Sequence, residues 1–185
     1  MRLLKYLLMI GVALVASGWA VSVALEPTPA GQPQAPRPGE HSEAVVQVYG
    51  ADVWGLRGNF AIHTWLAVKP RDAATYTIYQ VIGWRRETSK VSVTTGMPDR
   101  PWFRSPPILL HEVTGARAEA LVEPIRQAVA DYPWAETYTM WPGPNSNSFI
   151  AWIALEVPDL GLRLPAKAIG QGWMRDNHPI AQPRA

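Results

Sequence analysis

The chain has no cysteine, which removes disulfides, thiolate metal sites and cysteine nucleophiles and leaves the redox state of its compartment unmarked. Charge is sparse as well. Asp, Glu, Lys and Arg make up 17% of the 185 residues, 17 basic against 15 acidic. With no run of Lys or Arg, this balance excludes a basic nucleic-acid binder and a disordered acidic chain. Close metal-ligand pairs such as H-x-x-x-H are missing among the four histidines, so neither a metal nor another cofactor is expected. No segment repeats.

What remains is apolar and aromatic: 48% hydrophobic residues and nine tryptophans, enough for one core in one domain. Arg2 and Lys5 precede an uncharged span at 6–25, "YLLMIGVALVASGWAVSVAL", closed by Glu26. That length suits a membrane-spanning helix, which needs roughly 20 apolar residues. Small residues at Ser22 and Ala24 also suit a signal peptide cut after Ala24. Either reading leaves the basic flank in the cytoplasm and sends the rest across, to the periplasmic side of a bacterial inner membrane or free in the periplasm. Without Arg2 and Lys5 the exported part has 17 − 2 = 15 basic side chains against 15 acidic. Residues 26–42 include "PTPAGQPQAPRPG", five prolines in thirteen residues, and read as an extended tether. One domain is expected over 43–172, with a flexible tail at 173–185.

The first half of the domain reads as β. "AVVQVYGA", "NFAIHTWLAV", "YTIYQVIGWR", "KVSVTT" and "ILLHEV" are rich in β-branched and aromatic residues, and "KPRDAAT" has hairpin length. The Pro-rich "GMPDRPWFRSPP" reads as an ordered loop. From Thr114 the period changes: Leu121, Val122, Ile125, Ala128, Val129 and Tyr132 form one stripe of an amphipathic helix. Pro124 inside it predicts a kink or a junction of two short helices. "AETYTMW" and "LRLPAKAIGQGW" read as two further strands.

Between those strands lies "WPGPNSNSFIAWIALEV". Pro142, Gly143 and Pro144 stop what precedes, and Asn145 to Ser148 are all residues that cap helix N-termini. "FIAWIALEV" is apolar on every face, as a buried helix is. The spacing predicts a short central helix starting near Asn145, where free backbone N–H groups and the positive end of the dipole favour negative charge. Asn145 or Ser146 serves there as a cap, or Ser146 as a nucleophile at an oxyanion site.

The pair "HTWLAV" and "NSNSF" resembles the permuted papain-like group that includes the NlpC-like hydrolases, the PPPDE peptidases and the lecithin:retinol acyltransferases. In that group a strand histidine comes first and a cysteine at a helix start comes later. The chain from "HTWLAVKP" to "LPAKAIG" is also similar to a family of exported bacterial proteins known only as a domain of unknown function. The resemblance implies an α+β fold with an antiparallel sheet on a buried helix. It puts His63 in the place of the base and Ser146 in the place of the cysteine, with Asn145, Asn147 and Phe149 completing the motif.

Serine is a far poorer nucleophile than a thiol at neutral pH, so activity requires His63 within about 2.6 to 3.2 Å of Ser146, held by a third group. Gln80 is the candidate orienter, because a hairpin across "KPRDAAT" faces residue 63 with 80 or 81. Two functions follow. One is a cell-envelope hydrolase or acyltransferase acting on an amide or ester, with Ser146 as nucleophile, His63 as base, Gln80 as orienter and the Ser146 N–H with Asn145 as oxyanion donors. Trp102, Trp141 and Asn147 then contact substrate. The other is an inactive, membrane-tethered module whose groove binds a peptide, glycan or lipid. A plain structural role is a third reading. His111 is a lesser rival to His63, and His41 and His178 fall in the tether and tail.

Overall fold

The computed structural model describes residues 34–179. The apolar span at 6–25, the rest of the tether up to residue 33, and residues 180–185 lie outside the described residues, so the anchor or signal reading falls there too. Among the described residues no helix is long and apolar enough to cross a membrane.

The β-rich half forms five strands: β1 (Val45–Asp52), β2 (Ile62–Lys69), β3 (Tyr76–Val81), β4 (Val91–Gly96) and β5 (Ile108–Thr114). They make one antiparallel sheet in the order β4-β3-β2-β1-β5. Short connectors join β1 through β4, as hairpin-length turns dictate. The connection from β4 to β5 is the Pro-rich loop, which starts at one end of the sheet and returns to the other. Three helices follow: α1 (Gly115–Ala130), α2 (Ser146–Glu156) and the short α3 (Trp173–Asn177). The molecule is α+β.

β1 and β2 are buried along almost their whole length because both faces of the sheet are covered. This is why they read as near-continuous apolar runs rather than alternating ones. On one face Val46, Val48, Leu66, Val68 and Tyr79 pack against Leu121 and Ile125 of α1 and Phe149, Ile150 and Ile153 of α2. Phe149, Ile150 and Ile153 are fully buried, and each such side chain stabilises by about 1.5–3 kcal/mol. α1 is one helix with Pro124 inside it, so the expected junction of two helices is not formed. The opposite face carries Val45, Tyr49, Trp65, Ala67, Tyr76 and Ile78.

That opposite face is covered partly by residues 34–36, which the sequence reading assigned to the tether. Gln34 accepts from the Leu109 N–H at 2.9 Å, donates from its side chain to the Pro107 carbonyl at 2.7 Å, and donates from its backbone to Asp99 at 2.9 Å. Ala35 is buried, and the Tyr76 hydroxyl donates to the Pro36 carbonyl. The order of the folded unit therefore begins before Glu43.

Two expected strands are not strands. The segment at 135–141 is a series of turns, with Thr137 N–H bonded to the Trp134 carbonyl and Thr139 N–H to Pro144. The segment at 162–173 is irregular, because Pro165 has no N–H for a ladder and the chain there serves α2 instead. Its Ile169 and Gly170 carbonyls accept from Asn145, Asn147 and Ser148. Gly170 has φ +92, and a Cβ there would collide with the Asn145 side-chain amide. Only glycine meets both demands.

Candidate functional site

The helix start is built as the sequence predicts, and its polar side chains are consumed in building it. Asn145 is the N-cap. Its Oδ1 accepts from the Asn147 and Ser148 N–H groups at 2.9 and 3.1 Å, and the Ser148 hydroxyl accepts from the Asn145 N–H at 3.2 Å, which closes a capping box. The Asn145 amide nitrogen donates to the Met140 and Ile169 carbonyls. Asn147 ties α2 to the sheet. Its Nδ2 donates to Ile62 at 3.0 Å and to Ile169 at 2.8 Å, and its Oδ1 accepts from the Thr64 hydroxyl at 2.8 Å. Neither asparagine has an amide hydrogen left for an oxyanion or substrate. The Ser146 hydroxyl makes no hydrogen bond among the described residues, while its carbonyl accepts from Thr64 at 3.4 Å.

His63 lies elsewhere. Side chains alternate along a strand. Thr64, Leu66 and Val68 turn to α2, which leaves His63, Trp65 and Ala67 for the opposite face. His63 is only 6% exposed. Its ring lies flat on Trp102, with centroids 3.9 Å apart and planes 8° apart. Through Nε2 it donates to the Gln80 carboxamide oxygen at 3.0 Å. Burial pushes the imidazole down from its ordinary 6.5 to about 4, against the bond from Gln80, which favours the charged form. It is neutral at physiological pH.

The structure thus brings together His63, Gln80 and Trp102, and separately Ser146, Asn145 and Asn147. It does not bring the two sets together. No hydrogen bond joins His63 to Ser146, and the sheet separates their side chains. Trp141, expected at the substrate, is 68% exposed on the segment before α2. His111 pairs with Val48, on the helix-covered face, and bonds the Leu160 carbonyl at 2.8 Å.

Beside His63 the far face opens into a pocket of about 230 Å³ whose walls include Trp65, Ile78, Gln80, Met97, Arg100 and Trp102. The β4–β5 loop shapes it. Trp102 and Ser105 exchange both backbone hydrogen bonds around a two-residue tip, Phe103 and Arg104, at φ 46 and 73. Positive φ at two non-glycine residues is strained, and this tip follows Trp102, whose ring lies on His63. The Trp65 indole donates to Pro98 at 2.9 Å, which pins the loop's other end. The Gln80 amide nitrogen makes no hydrogen bond among the described residues, and Arg100 spends only Nε, on the Met97 carbonyl. Gln80 and Arg100 thus line the cavity together with the Trp65 and Trp102 indoles. Sequence reasoning found Trp102 from its place in a proline-rich loop. It missed Arg100, two residues earlier in the same loop, and Trp65, which looked like plain core.

The architecture defines an α+β domain with a sealed helix start and an aromatic pocket on the far face of its sheet. By sequence the chain belongs to the family described as "Protein of unknown function (DUF3750)", which matches residues 43–173. No curated protein and no solved structure matches it.

Proposed function

We propose that this chain is a non-catalytic binding module on a permuted papain-like framework, exported and tethered at the bacterial envelope, whose far-face pocket holds a carboxylated sugar ring. The framework is supported by the order of its parts: a histidine early in a central strand, then the NSNSF motif at the start of a buried helix packed on that strand. The single observation that carries the binding reading is the separation of His63 from Ser146 by the sheet. A serine hydroxyl without a base is not a nucleophile at neutral pH.

The ligand class follows from the pocket's chemistry. Trp65 and Trp102 supply flat apolar walls, on which a ring stacks. The Gln80 amide and the Arg100 guanidinium supply donors, and arginine suits a carboxylate. A cavity of about 230 Å³ holds one ring rather than an extended chain. The test is a titration of the full chain in mild detergent with carboxylated monosaccharides and disaccharides, read by tryptophan fluorescence. Saturable binding weakened roughly tenfold or more by Arg100→Gln, and abolished by Trp102→Ala, supports the reading. Absence of saturable binding rejects it, and amide or ester turnover that Ser146→Ala abolishes returns the function to a hydrolase.

A further inference from the structure

The large exposed apolar side chains are not scattered over the domain. Trp54, Leu56 and Phe60 lie between β1 and β2, Trp84 lies between β3 and β4, and Phe103 and Ile108 lie at the entry to β5. Met140 and Trp141 precede α2, whose start is bonded to Ile62 and Thr64 at the head of β2. In an antiparallel sheet of this order, all these positions fall at one end. Of the large exposed hydrophobics among the described residues, only Val93 and Leu155 lie elsewhere.

The loops also touch. Arg57 reaches the Met140 sulfur at 3.7 Å, Tyr138 covers Gly83, and Trp84 packs edge-on against Phe103 at 5.4 Å. Leu56 is 85% exposed and Trp54 79%, so the rim is open. Exposed apolar side chains gathered at one end in this way mark an interaction surface.

We infer that this rim docks the domain onto an anionic lipid surface. Two observations choose lipid over a protein partner. The composition is that of membrane-interface anchors, with Trp, Phe, Leu and Met raised on short loops and arginine beside them. Arg57, Arg86 and Arg104 are exposed there and make no ion pair among the described residues, whereas Asp52 and Glu87 are neutralised by Lys167 and Arg85. Asp131, bonded to Gln127, and Glu136 are the exposed acids left on the adjoining loop.

The absence of cysteine makes the test direct. Leu56→Cys and Trp141→Cys place a nitroxide on the rim, and Leu155→Cys places one at the far end of α2. Each full-length variant is reconstituted in nanodiscs with and without anionic lipid, and relaxation by oxygen, which partitions into lipid, is compared with relaxation by a water-soluble nickel chelate. The expected result is oxygen dominance at 56 and 141 with anionic lipid and nickel dominance at 155. Replacing Arg57, Arg86 and Arg104 by Gln should reduce the lipid-exposed population roughly fivefold per arginine. Nickel dominance at all three sites overturns the proposal. Shielding of 56 and 141 from both reagents overturns it too, in favour of a protein partner or a second copy.

Discussion

The stacked, neutral His63 gives the fold a titration that can be measured against a single substitution. In the folded chain the imidazole sits at about 4, and its ordinary value is 6.5. The folded state therefore resists a proton that the unfolded chain accepts. Stability from this group is fully present above pH 6.5 and is lost as pH falls from 6.5 toward 4. At 1.36 kcal/mol per pH unit the loss is on the order of 3 kcal/mol. His63 is 6% exposed, so solvent screens little of it. His63→Phe keeps a flat ring on Trp102 and removes the titration. At pH 7.5 that variant should be less stable by about 1 kcal/mol, the hydrogen bond to Gln80. Both proteins are unfolded with denaturant in mild detergent between pH 7.5 and 4, followed by near-ultraviolet circular dichroism, and the difference in their unfolding free energies is plotted against pH. All other titrations are common to the two and cancel. The difference should close and then reverse as pH falls, the variant becoming the more stable one near pH 4. Parallel curves would refute the reasoning, since they would mean that His63 accepts its proton as easily in the fold as outside it.

Two further predictions concern the helix start. Asn147→Ala removes three hydrogen bonds, those to the Ile62 and Ile169 carbonyls and the one from the Thr64 hydroxyl, so it should cost about 2–4 kcal/mol in the same unfolding assay; a loss below about 1 kcal/mol would show that the clamp carries little of the fold. Ser146→Ala should leave stability within about 0.5 kcal/mol, because that hydroxyl makes no hydrogen bond among the described residues, whereas Ser148→Ala should cost about 1–2 kcal/mol by opening the capping box and losing the Gly170 carbonyl; equal effects at the two serines would overturn the assignment of cap and bystander.

The parts of the fold that were legible are those where local chemistry decides. The strands, the amphipathic α1 and the start of α2 at Asn145 all follow from period and capping. The segments at 135–141 and 162–173 have strand-like composition, but what they do is set by distant partners. One folds over Gly83 with Tyr138, and the other offers its carbonyls to α2. Neither partner is visible in the segment itself. The bond between Gln80 and His63 was expected, but not from the register that forms it: Leu66 pairs with Tyr79, which sets Gln80 opposite Trp65, and the amide reaches His63 diagonally. The face on which they meet was not legible. In "IHTWLAVK" each alternating set mixes apolar with polar residues, Thr64 in one and His63 and Lys69 in the other, and all are buried, so no polar face betrays the direction of the core.

That ambiguity bears directly on chemistry. The resemblance sets Ser146 where that group has a cysteine, which invites the thought that one substitution would make a thiol enzyme. Ser146→Cys would supply a better nucleophile, but the imidazole would still lie across the sheet, flat on Trp102 and bonded to Gln80. Moving it to the helix face would shift β2 by one residue and carry Trp65 and Ala67 into the space of Leu66 and Val68. His111 already faces the helix side, yet it is tied to the Leu160 carbonyl. A dyad here therefore needs a new base as well as a new nucleophile, and the strand alternation that denies it is the same one that delivers His63 to the aromatic pocket.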